Sequence, residues 1–564
     1  MSRRCDRCDR SRCEKKCKDA VKINHCDINK ASDRSTSGFV ISKPGNYVLC
    51  ENVNWTVSTP ESFAISIVSD DVSLDLGGHF IKQLNANLAG CGAIKVAADV
   101  KNTLIHNGQL LQLSQVGIFA DQGVSCLTID KVDVDRSCYN GTGYMNLQNG
   151  GASFSTGGIY LYGAQRPQRT LTDALNYGPS PNPVKGVVIT NCKFCDLGLF
   201  QDKSMPECLV GGITAYYAEC VEIKNVTVNT VFSVLQAAGV SFLLGSSHHL
   251  SKSFVCGLRS PNSTMGFYSL ASVDTLIEDS VASDLLTTYD SLQDLGSNSG
   301  NGAEGIKIGG SKHVTIRRNT FQGIHVVKGN PSDPATPAHY GRANAVSVDG
   351  AKKVQCLNNN AFDISNYYGW AWGFGNTPNQ LFLALIQRPV FPIGPPPPAE
   401  FTDFVMEACT FDGCRVENIS VSTSDGLFAA GYVLSSLNGQ VVDSVANYIK
   451  DEGTDSYGVI FYSQTSSIPG ITPVTVDAVN CIARRNSLTF ADTNGVYDET
   501  YTTLPTSNNV VNSNYAAFNG AGGVGPNYVI NPAGTALIQN WSLPAGPAAP
   551  PVGGPVLANV SVHN

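Results

Sequence analysis

Charge is scarce in this 564-residue chain: Asp, Glu, Lys and Arg together make up 15% of it. Helices that stand in solvent need a charged face, so a body built of long solvated helices is excluded. Apolar runs are short as well. None approaches the roughly 20 residues that span a bilayer, so no membrane span is expected. The first residues, MSRRCDRCDRSRCEKKCKDA, start with the positive charge of a signal peptide but lack the apolar core that must follow, and classical export is not expected. Aromatic residues are missing from residues 1–35, which removes the stacking platforms that single-stranded nucleic acid needs. That head holds eleven Lys/Arg against six Asp/Glu, a net +5. The remaining 27 basic and 40 acidic residues give a body of −13, which repels phosphates, so nucleic acid is not an expected partner.

What is abundant is glycine, 55 residues, and hydrophobic residues at 42%, a composition of strands and tight turns. They recur in order. Gly212-Ile213-Thr214-Ala215, Gly239-Val240-Ser241-Phe242 and Gly266-Phe267-Tyr268-Ser269 follow one another at 27-residue steps, and Ile223, Leu250 and Ile277 keep the same step. GIKIGGSKHVTIRRNTF from Gly305 is echoed 40 residues on by AVSVDGAKKVQCLNNNAF from Ala345. Each repeat holds runs of alternating apolar residues of about strand length and no helical period. Three strands and their turns fill one coil, and coils stacked in parallel pair their backbones above and below while burying one continuous column. Asn107, Asn191, Asn225 and Asn358 fall two residues past an inward side chain, where a sharp corner calls for the left-handed conformation that Asn tolerates. Lys252, Asp279 and Arg318 interrupt that series.

The segment 37–82, SGFVISKPGNYVLCENVNW…AISIVSDDVSLDLGGHFIK, resembles the opening of the right-handed β-helix repeat proteins of the pectin-lyase-like superfamily. The likeness runs over about residues 37–360 and implies an all-β, right-handed parallel β-helix. It divides the chain into a Cys-rich basic arm at 1–35, an opening or capping coil at 36–83 and a β-helix at 84–495. Insertions are expected near 140–184, 284–303, 325–343 and 365–405, and a Gly/Pro/Asn-rich tail at 496–564. The superfamily includes lyases, hydrolases, epimerases, phage tailspikes and virion proteins of large DNA viruses, so the resemblance speaks for fold more than for activity. The basic, Cys-rich head turns it toward the viral group. The expected function is a noncatalytic structural or surface component, glycan-binding and virion-associated. The alternative is a lyase or glycoside hydrolase acting on an acidic polysaccharide, with Ca²⁺ as the ion a lyase would need.

A catalytic reading needs grouped carboxylates. The outward column Thr214, Ser241, Tyr268, Lys307, Ser347 has none, and the NTD, GDD, GHG and RIK signatures of polygalacturonases are absent. The acidic candidates are Asp290, Asp294 and Glu304, with Asp349, Lys307 and Arg317 nearby in the coil pattern. His79, in LDLGGHFI, is read as a corner residue that begins a return strand after the Gly77-Gly78 turn, and Asp70, Asp71 and Asp75 have the same structural standing. Tyr367, Tyr368, Trp370 and Trp372 form the candidate glycan platform, against the plainer reading of rings packed under a loop. Cys5, Cys8, Cys13 and Cys17 could encircle one zinc ion, though a mixed-charge attachment arm explains the same spacing. The other cysteines, scattered singly, read as small core residues. Residues 501–564 contain no Lys, Arg, Asp or Glu and 16 Gly/Pro, so the tail is expected to dock on the open end of the stack or on a protein partner in an assembly.

Overall fold

A computed structural model describes residues 20–32, 37–57, 62–84, 91–137, 157–163, 182–198, 209–233, 236–261, 263–289, 302–328, 341–367, 369–377, 407–422, 428–451 and 455–462, with shorter segments between 464 and 561. They fall into two compact units, 1–169 with 177–258, and 170–176 with 259–564. Each unit is a stack of parallel β-coils, as the repeats require.

In the first unit the strands Ser37–Ile41, Phe63–Ile67, Gly92–Val96, Val116–Ala120, Ile159–Tyr162, Leu209–Tyr216 and Gln236–Leu243 pair in parallel, one per coil. Their registers align Ile65, Ile94, Ile118, Ile159, Ile213 and Val240, all fully buried. Val72–Asp75 and Phe80–Gln83 show how one coil turns. The second strand does not return along the first. It continues onto the next face and pairs in parallel with Val53–Trp55 and Lys101–Leu111, so the Gly77-Gly78 turn is a corner and not a hairpin. Within 1–35, Val21–Ile23 joins Gly45–Leu49 as a parallel strand, and the helix His25–Ser32 follows, with Ile23 and Ile28 buried.

In the second unit Ser263–Leu270, Gly302–Gly309, Arg342–Asp349, Trp370–Thr377, Phe428–Leu434, Ser456–Phe461 and Asn494–Asp498 pair in the same way. Phe267, Ile306, Val346, Phe374, Tyr432 and Val459 form its inward column, every one at 0% exposure. Full burial of such side chains stabilises by about 1.5–3 kcal/mol each, and stacking makes the column continuous.

The corners explain the asparagines. Asn107, Asn191, Asn225 and Asn358 have φ of +53 to +62, and Lys252, Asp279 and Arg318, the residues that break the sequence pattern, have φ of +50 to +56. Coil geometry, not residue type, imposes the conformation. One residue further on, a second set of asparagines points inward. Ser280 N–H donates to Asn319 Oδ1, Asn319 N–H to Asn359 Oδ1, Ser444 N–H to Asn486 Oδ1 and Asn486 N–H to Asn514 Oδ1, at 2.9 to 3.0 Å. These amides satisfy backbone groups that the bend removes from the sheet ladder.

Candidate functional site

The outer side of the second unit's first face carries the side chains that alternate with the inward column. Glu304 and Lys307, three residues apart on one strand, lie together there, with Lys307 Nζ 2.9 Å from Glu304 Oε2. One coil on, register places Asn344 beside Glu304, Ser347 beside Lys307 and Asp349 beside Gly309. Arg342, at the start of that strand, sends Nη1 to within 3.2 Å of Asp349 Oδ1. Its guanidinium stands 5.7 Å from the Trp370 ring centre and 5.5 Å from that of Trp372, which belong to the following coil. Trp372 fits because its neighbour in space is Gly375, where a Cβ would lie 2.6 Å from the indole nitrogen.

All four charges are buried: Glu304 0%, Lys307 3%, Arg342 2% and Asp349 1% exposed. Burial holds the Glu304 carboxyl above its ordinary value and the nearby Asp349 charge pushes the same way, while Lys307 and Arg342 oppose them. Charges at this depth survive only in pairs. Some hydrogen-bonding capacity is left over. Glu304 Oε1, both amide atoms of Asn344, Ser347 Oγ and Trp372 Nε1 are buried without a partner. An uncompensated buried polar atom costs about 1–3 kcal/mol, so the grouping on one face marks a place built for something other than stability.

Three of the sequence candidates, Glu304, Lys307 and Asp349, are thus brought together, and Trp370 and Trp372 join them. Arg317 is elsewhere. It lies on Lys312–Arg317, a strand of the next face, with Nε 2.6 Å from Glu278 Oε2. Tyr367 is exposed at the turn before the Trp370 strand, its N–H donating to Val326 O. Trp372 is not an open platform: it packs with Phe428, Ala430, Val433, Tyr457 and Ile460, and Trp370 is half-buried against that cluster. Asp290, Asp294, Tyr368, Cys5, Cys8, Cys13 and Cys17 lie outside the described residues. Among the described residues no three His, Cys, Asp or Glu side chains group to hold a metal ion, and no helix is long and apolar enough to cross a membrane.

Sequence reasoning followed one outward column and found it free of carboxylates. It missed the neighbouring row Glu304–Asn344–Trp372 and the charge of Arg342. The 40-residue echo held the signal, since it pairs 304 with 344 and 302 with 342.

The His79 region is structural. Asp75 Oδ1 accepts from Gly77 N at 2.7 Å and from Asn107 Nδ2 at 3.1 Å. Asp70 Oδ1 accepts from Lys101 N and Asp71 Oδ1 from Asn102 Nδ2, so these carboxylates tie corners of successive coils.

No protein-family model matches the chain, and no curated protein does. Solved structures similar to it include the A-module of the mannuronan C-5 epimerase AlgE4 from Azotobacter vinelandii, at 12% identity and a TM-score of 0.37, covering 92% of this chain and 96% of that one. The A-module of AlgE6 from the same organism matches at 12% identity and a TM-score of 0.36, covering 92% and 94%. PfbA, a surface adhesin of Streptococcus pneumoniae, matches at 11% identity and a TM-score of 0.34, covering 78% of this chain and 82% of that one. At these identities the assignment of the fold rests on the strand registers themselves.

Proposed function

We propose that this chain is a glycan-binding β-helix component of a surface or virion-type assembly, with its binding face on the outer side of Gly302–Gly309, Arg342–Asp349 and Trp370–Thr377. The observation that carries the reading is the set of unpaired polar atoms on Glu304 and Asn344, on the same face as the half-buried Trp370 ring and the Arg342 guanidinium. Sugars need an apolar ring face together with converging donors and acceptors, and this face offers both.

A second reading, a lyase or hydrolase acting on an acidic polysaccharide, is favoured by one feature: a buried carboxyl with a raised affinity for its proton, 2.9 Å from an ammonium group, has the character of a general acid or base. A glycan array of neutral and acidic polysaccharides, read for binding and for reducing ends or unsaturated products, separates the two. Binding without turnover, weakened at least tenfold by Trp370→Ala, is the expected result. Turnover abolished by Glu304→Gln replaces it with the enzyme reading, and neither binding nor turnover overturns both.

A further inference from the structure

Asn344 sits where an amide gains nothing for stability. Register sets it beside Glu304 on the preceding coil and beside Trp372 on the following one. It is 0% exposed, and neither Oδ1 nor Nδ2 has a hydrogen-bond partner. Buried amides in this chain otherwise use both ends, as Asn319 and Asn359 do against backbone groups of neighbouring coils. Glu304 in turn has Lys307 Nζ 2.9 Å from its Oε2. One carboxyl thus has a primary amine as its contact on its own strand and an unengaged carboxamide as its neighbour on the next.

An amine, a carboxamide and a carboxyl in a dry niche are the two reactants and the proton carrier of an amide exchange. Burial favours the protonated form of Glu304. A proton moved from Lys307 Nζ to Glu304 replaces a buried ion pair by two neutral groups, and the neutral amine is the nucleophilic one. Water, the competitor of the amine, is kept out: Glu304 and Asn344 are fully buried, Lys307 is 3% and Trp372 1% exposed.

We propose that Lys307 and Asn344 form an intramolecular amide cross-link between consecutive coils, with Glu304 as its acid–base catalyst. Lys307 Nζ attacks Asn344 Cγ while Glu304 gives a proton to Oδ1 and takes one from Nζ. The proton on Oδ1 then returns through Glu304 to Nδ2, the carbonyl re-forms, the Cγ–Nδ2 bond breaks and ammonia leaves. An ion pair and a carboxamide become a secondary amide, a neutral carboxyl and ammonia, with no oxidant or further reactant consumed. The bond ties Gly302–Gly309 to Arg342–Asp349, coils that otherwise hold together by strand pairing and packing, since the described cysteines form no disulfide. It leaves Trp370 and Arg342 unaltered and keeps Oδ1 as an acceptor, so it stands or falls apart from glycan binding.

The test is the mass of the full chain, reduced and denatured. The natural chain should be about 17 Da lighter than its sequence requires, the mass of one ammonia, and tryptic mapping should yield one branched peptide joining Lys307 to Asn344, uncut after Lys307. Glu304→Gln, Lys307→Arg and Asn344→Ala should each return to full sequence mass. Where a variant does not fold, the natural chain still decides: full mass and normal cleavage after Lys307 overturn the proposal. A deficit that persists in Lys307→Arg is a cyclised asparagine elsewhere and overturns it too. So does a deficit of about 18 Da, one water, which would join Lys307 to Glu304 instead. Glycan titration of the same samples separates the two readings, because binding by a chain of full mass removes the cross-link and leaves the proposed function standing.

Discussion

Arg318 and Asp279 occupy the same corner on consecutive coils, Arg318 Nε 2.7 Å from Asp279 Oδ1 and Nη2 2.8 Å from Oδ2, and both hold φ of 50 to 56°. In the first unit Asn225 donates from Nδ2 to Asn191 Oδ1 at 2.7 Å across an equivalent corner. An ion pair and an amide pair therefore serve one backbone position. Because asparagine suits the left-handed conformation and arginine only tolerates it, Arg318→Asn is expected to leave Tm unchanged or slightly raised. Asn358→Val, which puts a β-branched residue at φ 53°, should cost about 1–2 kcal/mol, read as a lower denaturation midpoint.

The inward asparagines are predicted to matter more. Asn486 Oδ1 accepts from Ser444 N–H, and its Nδ2 donates to Val441 O and Asn514 Oδ1, at 2.9 to 3.0 Å in full burial. Asn486→Ala leaves several of these groups unpaired and should destabilise by about 2–3 kcal/mol, given about 1–3 kcal/mol for a buried unsatisfied group. Asn486→Asp should be worse above pH 5 than below it, since the ionised acid loses the donor and buries a charge. Thermal melts of both variants at two pH values check this.

These two asparagine sets show what could be read beforehand. The 27-residue step from Ile213 to Val240 is a register, and the structure pairs those residues directly. The 40-residue step from Ile306 to Val346 is another. Side chains in the core recur because each touches its own equivalent on the next coil, so periodicity transmits them faithfully. The corner asparagines were visible for the same reason, but nothing in RRNT, NNNA and RRNS marks Asn319, Asn359 and Asn486, each one residue past the corner, as a separate inward set. Only the coordinates separate Asn358, exposed at the corner, from Asn359, buried one residue later. The charged face was half legible. Lys307 lies in the outward column that the alternation defines, whereas Glu304 has the parity of the inward Ile306 yet pairs with Lys307, so a strict period of two assigns it to the wrong side.

The Glu304–Lys307 pair makes a prediction about pH. Burial raises the Glu304 carboxyl, so between its ordinary and raised values the native chain keeps a proton that the unfolded chain has released, and stability falls as pH rises through that window. Lys307→Met removes the cation that limits the shift. The window should widen toward higher pH, with a loss of about 3–5 kcal/mol at pH 7.5 that recovers toward pH 5. Adding Glu304→Gln to that variant should erase the pH dependence and restore most of the stability, a double-mutant cycle measurable by denaturant melts.

Thiol chemistry should divide by depth. The described cysteines are free. Cys126 and Cys220 are exposed, whereas burial pushes the thiols of Cys192 and Cys414 up to about 12. Since the thiolate is the reactive form, a maleimide at pH 8 should label Cys126 and Cys220 within minutes and spare Cys192 and Cys414 until denaturant is added. Peptide mapping by mass spectrometry gives the order, and rapid labelling of Cys414 in the native chain would contradict its place inside the coil.

His248 gives the opposite pH sign from Glu304. Its ring stacks on Phe242 at 4.5 Å and 9°, is 2% exposed, and has no hydrogen-bond partner on either nitrogen. Burial alone pushes it down to about 3 from an ordinary 6.5. As pH falls from about 6.5, the unfolded chain takes up a proton that the native chain refuses until about pH 3, so stability is lost across that interval and is fully present above it. His248→Phe keeps the stacked ring and removes the titration. The variant should therefore match the natural chain near pH 7.5 and exceed its Tm increasingly between pH 6 and pH 4. Parallel Tm curves over that range would mean that the imidazole is protonated in the folded coil, which an apolar niche lacking any acceptor cannot support.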